Sequence, residues 1–101
     1  MRDAFRTAVF ARDNNFCRVC GSDPPLDAHH ITDRNGLPNG GYVKENGIAL
    51  CDKCHAKAEV WHSSGKKKCL NGFGPDDLYK LIGSSYEKAV EASEKLGEKK
   101  K

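Results

Sequence analysis

Residues 46–55 read Asn46-Gly47-Ile48-Ala49-Leu50-Cys51-Asp52-Lys53-Cys54-His55, and the fold turns on what completes that stretch. Its cysteine pair, Cys51-x2-Cys54, repeats an earlier pair at Cys17-x2-Cys20, and the chain between them carries His29 and His30. Two CxxC turns supply the four thiolates of a tetrahedral structural zinc site. Thirty residues separate Cys20 from Cys51, where plain zinc ribbons use roughly 15–20. The longer excursion must hold something, and what it holds is a strand, a loop and a returning strand bearing the two histidines.

A chain of 101 residues with 38% hydrophobic residues buries only a modest core, so a structural metal is a natural supplement to packing. The run from Met1 to Asp13 is interrupted by Arg2, Asp3, Arg6, Arg12 and Asp13. Such a segment is neither a signal peptide nor a membrane span, which points to the cytoplasm. In that reducing compartment paired CxxC motifs bind metal rather than form disulfides, and the fifth cysteine, Cys69, leaves no closed disulfide set. The net charge of +3 lies wholly in residues 1–74, which hold 11 Lys/Arg against 8 Asp/Glu, whereas residues 75–101 hold six of each. A tetrathiolate zinc site adds two negative charges to that first part, so global charge is weak evidence for nucleic acid and the site must carry the argument.

The pattern predicts an α+β fold: a small zinc-stabilised domain over residues 1–74 and a helical tail over 75–101. Residues 2–13 form an amphipathic helix with Phe5, Ala8 and Val9 on one stripe and Arg2, Arg6 and Asp13 elsewhere. The first knuckle follows at Phe16 to Cys20, with Gly21 giving the turn its freedom. Leu26 to Thr32 suits a strand, and the turn formers from Asp33 to Gly41 suit a wide hairpin loop. Tyr42 to Val43 and Gly47 to Leu50 read as the returning strand, interrupted around Lys44 to Asn46. Asp52 is placed to cap a helix over Lys53 to His62, with Ala56, Val60 and Trp61 inward. Pro75 and the acidic pair Asp76-Asp77 open a further helix over 77–82 that breaks at Gly83. Ser84-x-x-Glu87 reads as a capping box for a last helix to Leu96, with Gly97 and Lys99 to Lys101 frayed.

Adjacent histidines on a strand point to opposite faces, so in a regular strand His29 and His30 do not share one small ion. They serve one site if one binds the ion while the other approaches a water from the side, or if the strand bends there. His55 follows the second knuckle directly and is anchored by it, as a catalytic ligand requires. Glu59, four residues on, shares its helical face and either joins the ion or sits solvated beside lysine. His62 reads as an outer-shell partner or a packing histidine, and Cys69 as a spare thiol without a role.

The pattern Cys17-x2-Cys20, Ala28-His29-His30-Ile31 and Asn46-Gly47-Ile48-x-Leu50-Cys51-x2-Cys54-His55 resembles the HNH endonucleases, in particular their small stand-alone versions in phage genomes. Their active site is a ββα-metal motif, and the resemblance covers roughly residues 5–62. By position it implies that His30 is the general base, His29 and His55 are ligands of a catalytic ion, and Asn46 braces the loop and orients the base. Glu59 falls where some relatives carry a second helix ligand. Many members have Asp where this chain has His29. An imidazole there softens the site, so Zn²⁺, Ni²⁺, Co²⁺ and Mn²⁺ join Mg²⁺ as candidate catalytic ions beside the structural Zn²⁺.

The implied reaction is metal-dependent hydrolysis of DNA phosphodiester bonds, leaving a 5′-phosphate and a 3′-hydroxyl. An imidazole base suits it because its unperturbed pKa of about 6.5 lies near operating pH. Phosphate contacts are expected from Arg18, Arg34, Lys44 and the run Lys66, Lys67, Lys68, although each of them taken singly reads more readily as a solvating charge. The competing reading is a zinc-stabilised nucleic-acid-binding module without catalysis, and the site residues do not discriminate DNA from RNA. For the tail, packing on the first helix, homodimerisation and docking on another protein all stay open.

Overall fold

The computed structural model describes residues 2–98, with the side chains of Arg2, Arg34, Gly97 and Glu98 outside the described part. In chain order it comprises α1 (Arg2–Arg12), β1 (Leu26–His30), β2 (Gly47–Cys51), α2 (Asp52–Ser63), α3 (Pro75–Leu81) and α4 (Tyr86–Glu98). Three short 3₁₀ turns, Arg34–Gly36, Pro38–Gly41 and Lys44–Asn46, connect the strands. The small α+β architecture expected from the sequence is therefore present, as a two-stranded antiparallel hairpin followed by a helix, with helices before and behind it.

The hairpin register pairs Asp27 with Leu50, Ala28 with Ala49, His29 with Ile48 and His30 with Gly47. Cross-strand partners share a face. One face therefore presents Asp27, His29, Ile48 and Leu50, and the other presents Ala28, His30, Gly47 and Ala49. The second face is small at three of four positions, and α1 settles on it through Phe5 and Val9. On the first, Ile31, Ile48 and Leu50 meet Ala58 of α2, Leu78 and Tyr79 of α3, and Ala89 of α4 in the larger core cluster. The tail thus contributes to the hairpin's core, and α4 packs chiefly on the turns at 38–41 and 44–46.

Several element boundaries differ from the sequence reading for identifiable reasons. β1 stops at His30 instead of Thr32, because the Ile31 amide turns to the Asn46 carbonyl at 2.9 Å and the Thr32 amide to Asn46 Oδ1 at 2.9 Å. Tyr42 and Val43 are not strand; the ladder begins only at Gly47, after the 3₁₀ turn. α2 starts one residue early, with Cys51 in the capping position and no side-chain cap from Asp52. Its buried residues are Cys54 and Ala58, not Ala56, because the zinc knuckle fixes the helix rotation. α3 begins at Pro75 itself and closes at Leu81. The last helix is capped by Ser85, whose hydroxyl accepts from the Lys88 amide at 3.1 Å, while Ser84 donates instead to the Glu45 carbonyl at 2.8 Å. That helix continues through Gly97 to Glu98, and Lys99 to Lys101 lie outside the described residues.

Candidate functional site

The first knuckle closes on itself: the Cys17 amide donates to the Ser22 carbonyl at 2.9 Å and the Gly21 amide to the Cys17 carbonyl at 2.8 Å. Gly21 sits at φ +77, a conformation that costs a side-chain-bearing residue energy. The Arg18 amide ties the knuckle to β2 through the Ala49 carbonyl at 2.8 Å. This brings Cys17, Cys20, Cys51 and Cys54 together, with all four sulfurs within 4.8 Å of one another. The Cys20 and Cys51 sulfurs are 3.6 Å apart, far beyond a disulfide bond of about 2.05 Å. Four sulfurs each about 2.3 Å from one zinc ion stand about 3.8 Å apart, so the donor set fits zinc in number, chemistry and spacing. Bonding to Ser22 holds the Cys20 thiol down at about 6, whereas burial pushes the Cys54 thiol up. A cation offsets that cost by stabilising all four thiolates together.

Asp13 occupies a place the sequence reading did not give it. It is buried, not solvent-facing. One carboxylate accepts from the Ala49 amide at 2.9 Å and from Arg12 Nε and Nη2 at 2.8 and 2.7 Å. Arg12 goes on to donate to the carbonyls of Lys44 and Gly47 at 2.5 and 2.7 Å. Asp13 stands four residues after Val9 and eight after Phe5, so helical spacing puts it on their buried stripe, and its amide still donates to the Val9 carbonyl at 3.0 Å.

The strand divides the two histidines as the alternation rule requires. His29 faces α2, where its ring centroid lies 5.2 Å from His55 and 5.3 Å from His62. His30 faces α1, stacked on Phe5 at 4.4 Å and edge-on to Tyr42 at 5.0 Å. Both nevertheless line one cleft of about 450 Å³, together with Arg6, Asp33, His55, Glu59 and His62.

Within that cleft His29, His55 and Glu59 each offer a donor atom within 4.8 Å of the others. His55 Nε2 lies 3.1 Å and His29 Nδ1 3.4 Å from Glu59 Oε1. Neighbouring donors on an ion with bonds of about 2.0–2.2 Å are separated by about 2.8–3.1 Å at right angles and about 3.3–3.6 Å at tetrahedral angles, so these three residues also fit a divalent cation. Three protein donors leave coordination positions open. His29 is only 3% exposed, and burial, followed by the charges of His55, His62 and His30, lowers its pKa to about 3. Its imidazole is therefore neutral at ordinary pH, with a lone pair available to a metal. His30 is not part of the three-residue group; it approaches from the opposite face.

Asn46 is fully buried and cannot touch a substrate. Its Oδ1 accepts from the Thr32 amide at 2.9 Å and the Tyr79 hydroxyl at 2.8 Å, and its Nδ2 donates to the carbonyls of Thr32 and Gly41 at 3.1 and 3.2 Å. All four valences of the amide are used, on the corner that follows His30. His62 holds the same corner from α2: Nε2 donates to the His30 carbonyl at 3.1 Å while Nδ1 faces the Asp33 carboxylate.

The expected cationic residues scatter. Arg18 donates to the Leu81 carbonyl at 3.1 and 2.9 Å and approaches Asp13 at 3.7 Å, which commits it to joining the knuckle to α3. Lys44 lines a separate groove between α1 and α4. Lys66 reaches Asp33 at 4.0 Å on the cleft side, and Lys67 and Lys68 are exposed beyond it. The Arg34 side chain lies outside the described part. Arg6, Tyr42 and Asp33 line the cleft and were not singled out from the sequence. The helical spacing of Arg6 one residue after Phe5 was the available signal for the first.

Residues 17–60 match the model of the HNH endonuclease family. No curated protein and no solved structure matches the chain. Among the described residues no helix is long and apolar enough to cross a membrane.

Proposed function

We propose that the chain, whose residues 17–60 match the HNH endonuclease family, is a metal-dependent endonuclease hydrolysing phosphodiester bonds of DNA. The observation that carries the reading is the convergence of His29, His55 and Glu59 in the cleft that His30 enters from the other face of the hairpin. A zinc-stabilised binding module has no use for a three-donor group beside a second, separately held imidazole.

In this reading the zinc knot fixes the start of α2 and hence His55, one residue past Cys54. His29, His55 and Glu59 would hold a divalent ion, which would supply positive charge against the negative charge that develops at the phosphate. His30 takes a proton from the attacking water, the new bond forms at phosphorus, the P–O3′ bond breaks, and the departing oxygen takes a proton from solvent, leaving a 3′-hydroxyl and a 5′-phosphate. Phe5 and Tyr42 fix the His30 ring in place, which is worth rate because a base must meet its water in one orientation. Asn46 and His62 hold the backbone on which the ring is mounted. Arg6 at the cleft wall and Lys66 at its edge contribute charge to the phosphate backbone.

The test is cleavage of supercoiled plasmid by zinc-loaded protein and its His30→Ala variant with Mg²⁺, Mn²⁺ or Ni²⁺, alongside single-stranded DNA and RNA. The wild-type chain nicks or linearises plasmid and the variant is slower by at least about a hundredfold. Inactivity of both proteins with every metal, while nucleic acid is still retained, would mean a binding module.

A further inference from the structure

The helix beyond the matched domain reaches the site at one polar point. Tyr79 of α3 is 2% exposed, and its hydroxyl donates to Asn46 Oδ1 at 2.8 Å. That hydroxyl has one proton, so in its 2.6 Å contact with Thr32 Oγ1 the threonine is the donor. Thr32 stands two residues after His30, and its amide and carbonyl are both bound by the Asn46 side chain. The corner that carries His30 is thus closed by a three-residue ring, Thr32–Asn46–Tyr79, and the tail supplies its third member.

Packing alone does not call for tyrosine here. Phenylalanine fills nearly the same volume, and a buried hydroxyl is costly unless its hydrogen bonds are made. In a ring of satisfied polar groups each bond restricts the orientation of the next. Without Tyr79, Asn46 Oδ1 keeps only the Thr32 amide, and the Thr32 hydroxyl loses its acceptor, which frees the threonine to rotate. The corner then relaxes, and with it the His30 ring two residues away.

We propose that Tyr79 is a positioning residue of the hydrolytic site, acting through Asn46 and Thr32 on the general base, so that the helical tail is part of the catalytic apparatus. This rests on the reading of His30 as the base. The donors His29, His55 and Glu59 are not members of the Thr32–Asn46–Tyr79 ring, so the affinity for metal is expected to stay unchanged when the ring is broken.

The test compares Tyr79→Phe, Thr32→Val, the double variant and Val90→Ala, which trims a core-packing side chain of α4 that is not a member of the ring. Steady-state cleavage is measured well below every variant's unfolding temperature, with Mn²⁺ titrations in parallel. Tyr79→Phe is expected to lower kcat about tenfold, the factor of one hydrogen bond, with KM and Mn²⁺ affinity unchanged. The double variant loses little more than the worse single one, and Val90→Ala keeps wild-type kcat. Amide exchange at Ile31 and Thr32 is read separately by NMR and accelerates in Tyr79→Phe but not in Val90→Ala. An unchanged kcat, or a loss confined to KM, overturns the proposal, and so does unchanged exchange at those two amides. A wild-type chain that cleaves nothing defeats the nuclease reading instead, and the exchange data then decide alone whether Tyr79 governs the corner.

Discussion

Asp27 Oδ2 lies 3.3 Å from Nδ1 of His55. Asp27 and His29 alternate onto the same face of β1, so one strand presents a donor to the ion and a carboxylate to the back of the other histidine. Accepting the proton of Nδ1 leaves the lone pair of His55 on Nε2, the atom that faces Glu59. A carboxylate behind a ligating imidazole fixes its tautomer and raises its basicity.

Asp27→Ala is therefore expected to weaken divalent-ion binding in the cleft by about tenfold or more while leaving the fold intact. Calorimetric titration of zinc-loaded protein with Mn²⁺ checks this, with circular dichroism as the control. An unchanged affinity would reduce Asp27 to a surface charge.

The knot of Cys17, Cys20, Cys51 and Cys54 joins the loop after α1 to the end of β2 and the start of α2. Zinc binding to such sites is worth about 10 kcal/mol or more, comparable to the whole stability of a small domain at about 5–15 kcal/mol. One zinc per chain should be found by elemental analysis, and removing it with a strong chelator or substituting Cys54→Ser should unfold the hairpin and α2. Stripping the cleft ion with a weak chelator should leave the circular dichroism unchanged. A chelated protein that kept its native spectrum would show that the core suffices without metal.

The legible and illegible parts of the chain divide along physical lines. Cysteine spacing, the histidine pair and Asn46 are local signals with strong geometric consequences, and alternation in β1 alone separates His29 from His30. The roles of Asp13, Tyr79 and Asp27 were invisible because each matters through partners 28 to 47 positions away: Ala49, Asn46 with Thr32, and His55. Sequence periodicity places a residue on a face but does not report what arrives there. The shift of the cap from Ser84 to Ser85 has the same origin, since the Glu45 carbonyl claims the first hydroxyl. Likewise, charge runs marked Arg18 as a phosphate contact, while the fold spends it on the Leu81 carbonyl.

Tyr79 also gives the protein an alkaline limit. Burial pushes its hydroxyl from 10.0 up to about 12, with the charges of Tyr86, Asp76 and Glu87 adding to that and the Thr32 bond opposing it. Between pH 10 and about 12 the unfolded chain has lost this proton and the folded chain keeps it. The unfolded state binds fewer protons there, so stability falls as pH rises through that window, is full below it and levels off above it. Urea unfolding across the range should show this slope in the wild type and a shallower one in Tyr79→Phe. Tyrosinate absorbance should show one of the three tyrosines titrating late. Equal slopes in both proteins would mean that the hydroxyl is solvated.

Gly47 decides how closely α1 approaches His30. Its backbone, at φ −128, suits any residue, yet a Cβ there would stand 2.5 Å from Val9 Cγ2 and 2.7 Å from Phe5 Cε1 and Cζ. Phe5 has little room to yield, because its ring is stacked on His30 and meets Tyr42 edge-on at 5.9 Å. The added methyl must lift the helix off the hairpin or push Phe5 against the base. Gly47→Ala is expected to cost about 1–3 kcal/mol of stability, the range for overpacking a close contact. Because the His30 ring moves with Phe5, kcat should fall as well, while Mn²⁺ affinity stays at the wild-type value, since His29, His55 and Glu59 look the other way. Urea unfolding and single-turnover cleavage together test this. A variant as stable and active as the wild type would mean that α1 is free to shift, and that the stacking of Phe5 on His30 does not hold the base.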